Sequence, residues 1–235
     1  MKDELVGTVS HELRTPLTIV KGAIDNLREG ICGPVEGKQK EVVELAHRNV
    51  ERLARMINNL LDLSRLESGS ARANKKPTDL SGVAKEVLDG FGYADTRGIK
   101  IDSRLDGVPP VEADAEMMAQ VITNLLDNAV RFARARVAVN VTPEGGSVRV
   151  EVVDDGPGIP EDKIKDLFNK FTQLNRKAGG GYKGTGLGLA ICKEIMTLHG
   201  TKIDVASVVG AGTRFSFALP VTKAAPKKRQ EAPRS

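Results

Sequence analysis

Several features that define other protein classes are scarce or absent in this sequence of 235 residues. Tryptophan is absent and aromatic residues make up only 3% of the chain, so we expect a core of leucine, valine, isoleucine and alanine. No apolar run approaches the roughly 18 residues of a membrane-spanning helix, and the charged start at residues 2–4 is unlike a signal peptide. The two cysteines, Cys32 and Cys192, have no metal-binding or redox spacing, which predicts reduced thiols in the cytoplasm.

Excess positive charge is confined to the C-terminal end. Residues 223–235 contain five basic residues and one acid, which accounts for the whole formal net charge of +4. No basic stripe interleaved with aromatic residues occurs elsewhere, so we expect no nucleic-acid binding. The composition of the tail is typical of a disordered segment.

Two amphipathic helices are predicted at the N-terminal end, over residues 2–28 and 38–67. In the first, apolar residues recur every seven positions, at Val6, Leu13, Val20 and Leu27. Glycine and proline between the two helices predict an antiparallel hairpin. Because two helices bury little apolar surface, we expect a homodimer that forms a four-helix bundle. Packing of the hairpin on the following domain is the alternative.

His11 is predicted to lie on the outer face of the first helix, two residues before the seam residue Leu13. An acid, Glu12, follows it directly, and the hydroxyl of Thr15 comes one helical turn later. A histidine buried for packing belongs on the seam, whereas this one is presented to solvent with a nucleophilic nitrogen at neutral pH.

Residues 10–17, SHELRTPL, resemble the phospho-acceptor box of sensor histidine kinases from two-component systems. The resemblance implies that ATP phosphorylates His11 and that the phosphoryl group then passes to an aspartate of a response-regulator receiver domain. It also implies that Glu12 accepts a proton from the imidazole or orients it, and that Thr15 orients water in dephosphorylation of the regulator. The box alone is also compatible with a phosphotransfer helix that has no kinase activity.

The rest of the chain mixes helices and strands without regular alternation. Strands are predicted at 99–105, 111–113, 136–142, 147–153, 202–207 and 214–219, and helices at 79–95, 115–132, 161–171 and 187–198. The sequence therefore predicts an α+β protein, in which the helical hairpin precedes an α/β sandwich with a mostly antiparallel sheet.

Two segments of this second region carry polar residues suited to a nucleotide. In NLLDNAVRF, residues 124–132, two asparagines share a helical face, and an amide oxygen can ligate Mg²⁺ without adding negative charge beside phosphates. In VDDGPGIP, residues 153–160, a carboxylate at a strand end can accept a hydrogen bond from the amine of adenine, and glycines permit close approach. A capping asparagine and an ordinary Asp-Gly turn are the alternative interpretations.

Two further segments follow. DLFNKF, residues 166–171, is also compatible with simple apolar packing of a helix. In GGGYKGTGLGL, residues 179–189, glycines precede a helix whose N-terminal N–H groups favour phosphate, and the triple glycine suggests a mobile lid. This segment is neither a Walker loop, because Gly-Lys-Ser/Thr is missing, nor a dinucleotide fingerprint, because no strand leads directly into it.

The order of the four segments resembles the N, G1, F and G2 boxes of the histidine-kinase ATPase domain, whose fold is shared with Hsp90, gyrase B and MutL. The resemblance covers nearly all of residues 1–222. It implies ATP and Mg²⁺ as cofactors, with Asn128 as the metal ligand. The nucleotide-site residues that it implies are Asn124, Asn128, Arg131, Phe132, Asp154, Gly156, Gly158, Ile159, Phe171, Lys183, Gly184, Thr185, Gly186, Leu187, Gly188 and Thr213. The chain departs from the family at Gln173, where many relatives carry arginine, and at Phe132, where tyrosine is frequent.

The sequence is therefore interpreted as a dimeric histidine-kinase core. Residues 1–67 are predicted to be the dimerisation and phosphotransfer domain, 68–77 a linker, 78–222 the ATP-binding domain and 223–235 a tail. A phosphatase or scaffold with weak kinase activity, and an ATPase or ATP-driven clamp, stay open, although Asn124 in place of glutamate disfavours the last. Any sensor, transmembrane or signal-relay modules are expected to lie outside these residues. Of the other histidines, His47 is expected on a solvated face and His199 at a helix end before a glycine cap.

Overall fold

The computed structural model describes residues 2–91, 98–172 and 185–222, with side chains described from residue 13 onward except Arg14. These residues divide into two compact units, one of residues 2–71 with 185–187 and the other of residues 72–172 with 188–222. The helices are α1 (Lys2–Arg28), α2 (Gly37–Glu67), α3 (Leu80–Gly90), α4 (Ala115–Phe132), α5 (Glu161–Ile164) and α6 (Gly188–Leu198). The strands are β1 (Lys76–Thr78), β2 (Lys100–Leu105), β3 (Val111–Ala113), β4 (Arg136–Glu144), β5 (Ser147–Asp154), β6 (Asp204–Val208) and β7 (Gly212–Pro220). No described helix is both long and apolar enough to cross a membrane.

In the first unit, α1 and α2 form the predicted antiparallel hairpin. Arg28 at the end of α1 contacts Glu44 near the start of α2, with 2.9 Å between Nε and Oε1. The connection contains Gly30 and Gly33, whose φ angles of 76° and 104° favour glycine. Large apolar side chains nevertheless stay exposed on both helices, at Leu13, Ile19, Val20, Leu27, Val42, Leu45, Leu53 and Leu60.

The expectation of a solvated face for His47 is wrong. This side chain is buried between the two helices, where its Nε2 lies 3.1 Å from Asp25 Oδ1 of α1 and 3.6 Å from Glu51 Oε1 of α2. Asp25 also accepts a hydrogen bond from Lys21, which lowers the pKa of the Asp25 carboxyl. The apolar pattern alone does not reveal such a site, because a polar residue is buried only where a partner lies on the facing helix.

The second unit is built on a five-stranded sheet in the order β2-β4-β5-β7-β6. β2 pairs parallel to β4, and the other neighbours pair antiparallel, so the predicted mostly antiparallel sheet is confirmed. One face of the sheet is apolar because every second residue of β5 and β7 points toward the helices. The residues buried there include Val148, Val150, Val152, Phe215, Phe217 and Leu219.

Helix α4 covers this apolar face of the sheet. Its buried residues recur with the spacing of three and four that one helical face produces, at Met118, Val121, Ile122, Leu125, Leu126, Ala129 and Val130. Burial of each such side chain contributes about 1.5–3 kcal/mol, so α4 is held mainly by packing. The Asp114 carboxylate caps its first turn by accepting hydrogen bonds from the N–H groups of Glu116 and Met117.

His199, directly after α6, connects the end of that helix to the start of α4. Its Nε2 accepts a hydrogen bond from the Asp114 N–H at 3.1 Å, so its Nδ1, 2.8 Å from the Ile195 carbonyl, must carry the proton. Burial lowers the pKa of the imidazole, which keeps this neutral tautomer. Gly200 follows with a φ of 74°, as expected for a residue that ends a helix.

Two predicted helix ends in the second unit are wrong, and one short strand was not predicted. The third helix ends at Gly90 rather than near 95, and the helix predicted over 161–171 ends at Ile164 and continues as tighter turns. Phe171 has a φ of 60°, which a right-handed helix cannot contain. The short strand β1, which pairs antiparallel with β3, was not predicted because it has three residues and contains a proline.

Candidate functional site

Three polar residues on neighbouring strands lie at one edge of the apolar face of the sheet. In the strand register, Asp154 of β5 lies opposite Thr213 of β7, and Thr213 lies opposite Ser207 of β6. Directly opposed residues of antiparallel strands point to the same face, so the three side chains form one row. We call Asp154, Thr213 and Ser207 the polar row.

Asp154 is a carboxylate with little access to solvent, because it is only 6% exposed. Burial raises the pKa of its carboxyl above the usual range, and hydrogen bonds from the backbone N–H groups of Gly156 and Thr213 offset part of that rise. The bond from Gly156 measures 2.9 Å. A buried acceptor with unused lone pairs can bind a donor of an entering ligand.

Neighbouring Asp155 has a different role, since it supports the backbone. Its carboxylate accepts hydrogen bonds from the N–H groups of Arg134, at 2.8 Å, and Ala135, at 3.1 Å, which follow α4. Burial by itself raises the pKa of this carboxyl, but the backbone N–H groups of residues 134–136 outweigh burial and lower it. Asp155 therefore fixes the end of α4 against β5, whereas Asp154 keeps capacity for a ligand.

Glycine is required at three positions around the polar row because the backbones approach closely. A Cβ at Gly156 would lie 2.6 Å from both Asp154 Oδ1 and the Phe132 carbonyl oxygen. A Cβ at Gly158 would overlap the Val208 carbonyl, and one at Gly212 would overlap the Asp154 carbonyl; both glycines also have positive φ. The segment after β5 is thus pressed against the end of α4 and against β6 and β7.

Helix α4 supplies both predicted asparagines. The Nδ2 atom of Asn124 is buried and has no hydrogen-bond partner among the described residues. A Cβ on Gly188, the first residue of α6, would lie 3.3 Å from Asn124 Oδ1, so α6 begins against this side chain. Burial raises the pKa of the Cys192 thiol of α6 to about 12, so this cysteine is unreactive. Asn128 lies one turn later on α4 and is partly exposed.

Arg131 and Phe132 end α4. The Arg131 guanidinium lies over the ring of Phe132, with 5.9 Å between Cζ and the ring centroid. Phe132 is 38% exposed, so its ring has a face available to a ligand. Ile159, on the other side of Gly158, donates its backbone N–H to Ser207 Oγ at 2.8 Å.

The remaining predicted nucleotide residues are Phe171 and residues 183–187. Thr185, Gly186 and Leu187 group with the first unit, where Thr185 Oγ1 accepts a hydrogen bond from the Leu187 N–H at 3.2 Å. Phe171 is exposed at the end of the described segment that precedes residue 173. Lys183, Gly184, the departure at Gln173 and the predicted tail 223–235 lie outside the described residues.

The predicted phospho-acceptor residues lie on α1. The side chains of His11 and Glu12 lie outside the described set, whereas that of Thr15 is described and exposed. No group of three or more histidine, cysteine, aspartate or glutamate side chains in the described ranges is placed to hold a metal ion. An Mg²⁺ ion bound at Asn128 would therefore need oxygens from a ligand, and phosphates supply such oxygens.

The sequence interpretation did not single out Ser207, although it contacts two predicted residues. A serine in a strand carries no signal by itself, and its partners Ile159 and Thr213 are identified only by the register of β6. The one available hint is that Ser207 lies three residues before Gly210, in a glycine-rich hairpin.

Two family models match the chain. Residues 1–69 match the His Kinase A (phospho-acceptor) domain, and residues 113–223 match the histidine kinase-, DNA gyrase B-, and HSP90-like ATPase. The chain is similar to the circadian input-output histidine kinase CikA of Synechococcus elongatus, with 38% identity over 93% of this chain and 30% of CikA. The chain spans less than a third of the length of this and the next two curated relatives, at 23–30%.

Solved structures agree with the sequence matches. Full-length ShkA in complex with AMPPNP is similar over 94% of this chain and 46% of ShkA, with 29% identity and a TM-score of 0.77. The catalytic domain of histidine kinase ThkA, in a nucleotide-free form, is similar over 63% of this chain and 97% of that domain, with 30% identity and a TM-score of 0.53. The fold predicted from the sequence is thereby confirmed, and the chain belongs to the sensor histidine kinase family, as a core that joins the phospho-acceptor and ATPase-type regions.

Proposed function

We propose that this chain transfers the γ-phosphoryl group of ATP to His11. The observation that carries the proposal is the buried Asp154 carboxylate beside glycines that admit no side chain, in one chain with the SHELRTPL helix. ShkA, a similar protein, was solved with AMPPNP, an ATP analogue, which supports ATP as the nucleotide here.

At the nucleotide end, Asp154 accepts a hydrogen bond from the amino group of adenine. Gly156, Gly158, Ile159 and Thr213 form the walls of the base site, and the ring of Phe132 packs on the base. Asn124 has an unused buried donor, Nδ2, that can bind the ligand or a water between them. Arg131 neutralises phosphate charge.

At the phosphate end, the amide oxygen of Asn128 would hold Mg²⁺, and the ion would supply positive charge beside the phosphates. The N-terminus of α6, with Gly188 and the preceding residues 183–187, binds the phosphates through backbone N–H groups. Phe171 ends the segment before this loop.

At the acceptor end, a ring nitrogen of His11 attacks the γ-phosphorus, the bond to the bridging oxygen breaks, and ADP leaves. Glu12 orients the imidazole or takes its proton, so that the attacking nitrogen is unprotonated. Positioning and charge neutralisation provide most of the acceleration of such a transfer.

We further propose that the chain acts as a homodimer and serves a response-regulator receiver domain. A second hairpin would cover the exposed apolar residues of α1 and α2. The regulator accepts the phosphoryl group on an aspartate, and Thr15, exposed one turn after His11, orients water when the same helix dephosphorylates the regulator. Because ATP is the donor, the cytoplasm is the proposed compartment.

We propose the following roles for the segments of the chain, in sequence order. Residues 1–67 dimerise and carry the phosphoryl group, residues 68–77 connect, residues 78–222 bind ATP, and residues 223–235 form a tail.

Incubation of the purified chain with radiolabelled ATP and Mg²⁺ tests the proposal. We expect an acid-labile, base-stable label that His11→Ala abolishes while ATP binding persists. We expect Asp154→Asn to weaken ATP binding about tenfold to a hundredfold, since a hydrogen bond to a charged group contributes about 1.5–3 kcal/mol. Asp102→Asn, on the surface strand β2, is the matched control and should bind ATP normally. Label that survives in His11→Ala would refute the role of His11.

A further inference from the structure

Ser207, the β6 member of the polar row, makes three hydrogen-bond contacts but has only one hydroxyl proton to donate. Its Oγ lies 2.8 Å from the Ile159 nitrogen, 2.9 Å from the Gly212 carbonyl oxygen and 2.9 Å from Thr213 Oγ1. The Ile159 N–H can only donate, and the Gly212 carbonyl can only accept. Ser207 therefore accepts from Ile159 and donates to Gly212.

This assignment fixes the direction of the remaining bond. With its one proton used on Gly212, Ser207 can meet Thr213 only as an acceptor, so the Thr213 hydroxyl donates to Ser207. The opposite arrangement would place the Ser207 and Gly212 oxygens 2.9 Å apart with no proton between them. Thr213 consequently offers only lone pairs to anything on its other side.

The same reasoning applies to the first residue of the polar row. Asp154 is an acceptor when ionised, and its neighbour Thr213 now has no proton to give to it. The row thus presents two acceptors side by side, both in residues that are 6% exposed. A ligand group that donates two hydrogen bonds satisfies both, whereas a ligand oxygen at that place leaves buried acceptors facing another acceptor, which is unfavourable.

We propose that Ser207 is a positioning residue of the nucleotide site. By holding the Thr213 hydroxyl as an acceptor beside Asp154, it makes the site select a purine with an amino group at C6 over a 6-oxo purine. The inference rests on the proposed binding of ATP, and it adds a residue of the edge strand β6 to the base site.

The test compares ATP with inosine triphosphate, whose base carries oxygen where adenine carries the amino group. Each nucleotide is titrated against a fluorescent nucleotide bound to the full chain. In Ser207→Ala, the Thr213 hydroxyl is free to turn and donate to the oxygen, so we expect the ratio of ATP to inosine triphosphate affinity to fall about threefold to tenfold. Ser207→Thr keeps the hydroxyl and should keep the ratio.

Ser216→Ala is the matched control, because Ser216 is a buried serine of β7 on the opposite face, where it accepts a hydrogen bond from Arg149. It should leave the ratio unchanged. Thr213→Val removes the acceptor directly and should lower the affinity ratio as Ser207→Ala does. If Ser207→Ala does not fold, the ratio measured for Thr213→Val tests the inference instead. In the double variant the two effects should not add.

A purely structural serine would weaken both nucleotides equally, and an unchanged ratio in Ser207→Ala and Thr213→Val would overturn the inference while leaving ATP binding intact. Absence of ATP binding to the unsubstituted chain would instead overturn the proposed function, and this inference with it.

Discussion

The two units of the chain differ in how completely they bury their apolar residues. In the sheet unit, α4 and the facing strands bury a continuous core, and Phe132, Phe171, Val208 and Val209 are its exposed large apolar residues among those described. In the hairpin, Val42, Leu45, Leu53 and Leu60 are 45–64% exposed along one side of α2.

The contrast indicates that the sheet unit covers its own apolar face, whereas the proposed dimer would cover the apolar surface that the hairpin leaves exposed. The ThkA catalytic domain, similar to 63% of this chain, was solved as a separate piece, which agrees with a self-sufficient sheet unit. A helical hairpin with a wide exposed apolar stripe needs a further surface, because each such side chain gains about 1.5–3 kcal/mol on burial.

The largest expected effect is on association of the hairpin. Leu53→Asp places a charge in the exposed stripe of both copies, which should raise the dimer dissociation constant about a hundredfold or more. Sedimentation equilibrium of the full chain measures it. Val208→Asp, at a 66% exposed position of the sheet unit, is the control and should leave the dimer intact. Equal dimer affinity for Leu53→Asp and the unsubstituted chain would show that the stripe is not the interface.

The next effect concerns the sheet unit alone. Gly212→Ala puts a Cβ onto the Asp154 carbonyl at a φ of 107°, so we expect a loss of about 3–5 kcal/mol in unfolding free energy, with dimerisation unchanged. Urea unfolding followed by circular dichroism measures the change. Gly90→Ala, where nothing lies within 4 Å of the added atom, should change stability by about 1 kcal/mol or less. Similar losses in both variants would contradict the close approach of β5 and β7.

The smallest expected effect is on the pH dependence of stability, to which the buried His199 contributes. The pKa of His199 is lowered in the folded state, so on acidification the unfolded chain binds a proton first. The stability that neutral His199 provides is thus complete above about pH 6.5 and is lost as pH falls toward the folded pKa, by at most about 1.4 kcal/mol per pH unit.

Urea midpoints between pH 7.5 and 5 test this, with His199→Gln as the variant that cannot titrate. We expect a shallower pH dependence for that variant. His47→Gln is the matched control, because it replaces the other buried histidine and leaves His199 in place, so the acid-side loss should persist. An identical slope in His199→Gln would refute the role of His199.

Periodicity predicted the long elements well and the contacts between distant segments poorly. Helix α4 was predictable because seven buried residues follow one helical face, and β4 and β5 because they alternate around a glycine turn. Strand β1 was missed because a three-residue strand exists only through its partner β3.

In the candidate site, too, contacts between distant segments were not predictable from the sequence. Asp154 and Gly156 form a local motif that the sequence displays, whereas Ser207 reaches Ile159 across 48 positions and Asp114 reaches His199 across 85. The burial of His47 likewise depends on Asp25, 22 residues earlier on the facing helix. Such pairs are fixed by strand register and helix packing, which local propensity does not encode.

The segment after α2 has a mechanical consequence. Ala71 donates its N–H to the Arg65 carbonyl of α2, and Asn74 donates its N–H to Asp114 Oδ2, so two residues separate these fixed points. The three residue steps from Ala71 to Asn74 span at most about 11 Å, so Arg72 and Ala73 form a short connection rather than a long linker. Asp114 thus accepts from Asn74 through one carboxylate oxygen and from the first turn of α4 through the other, so loss of this carboxylate would release the connecting segment and the helix end together.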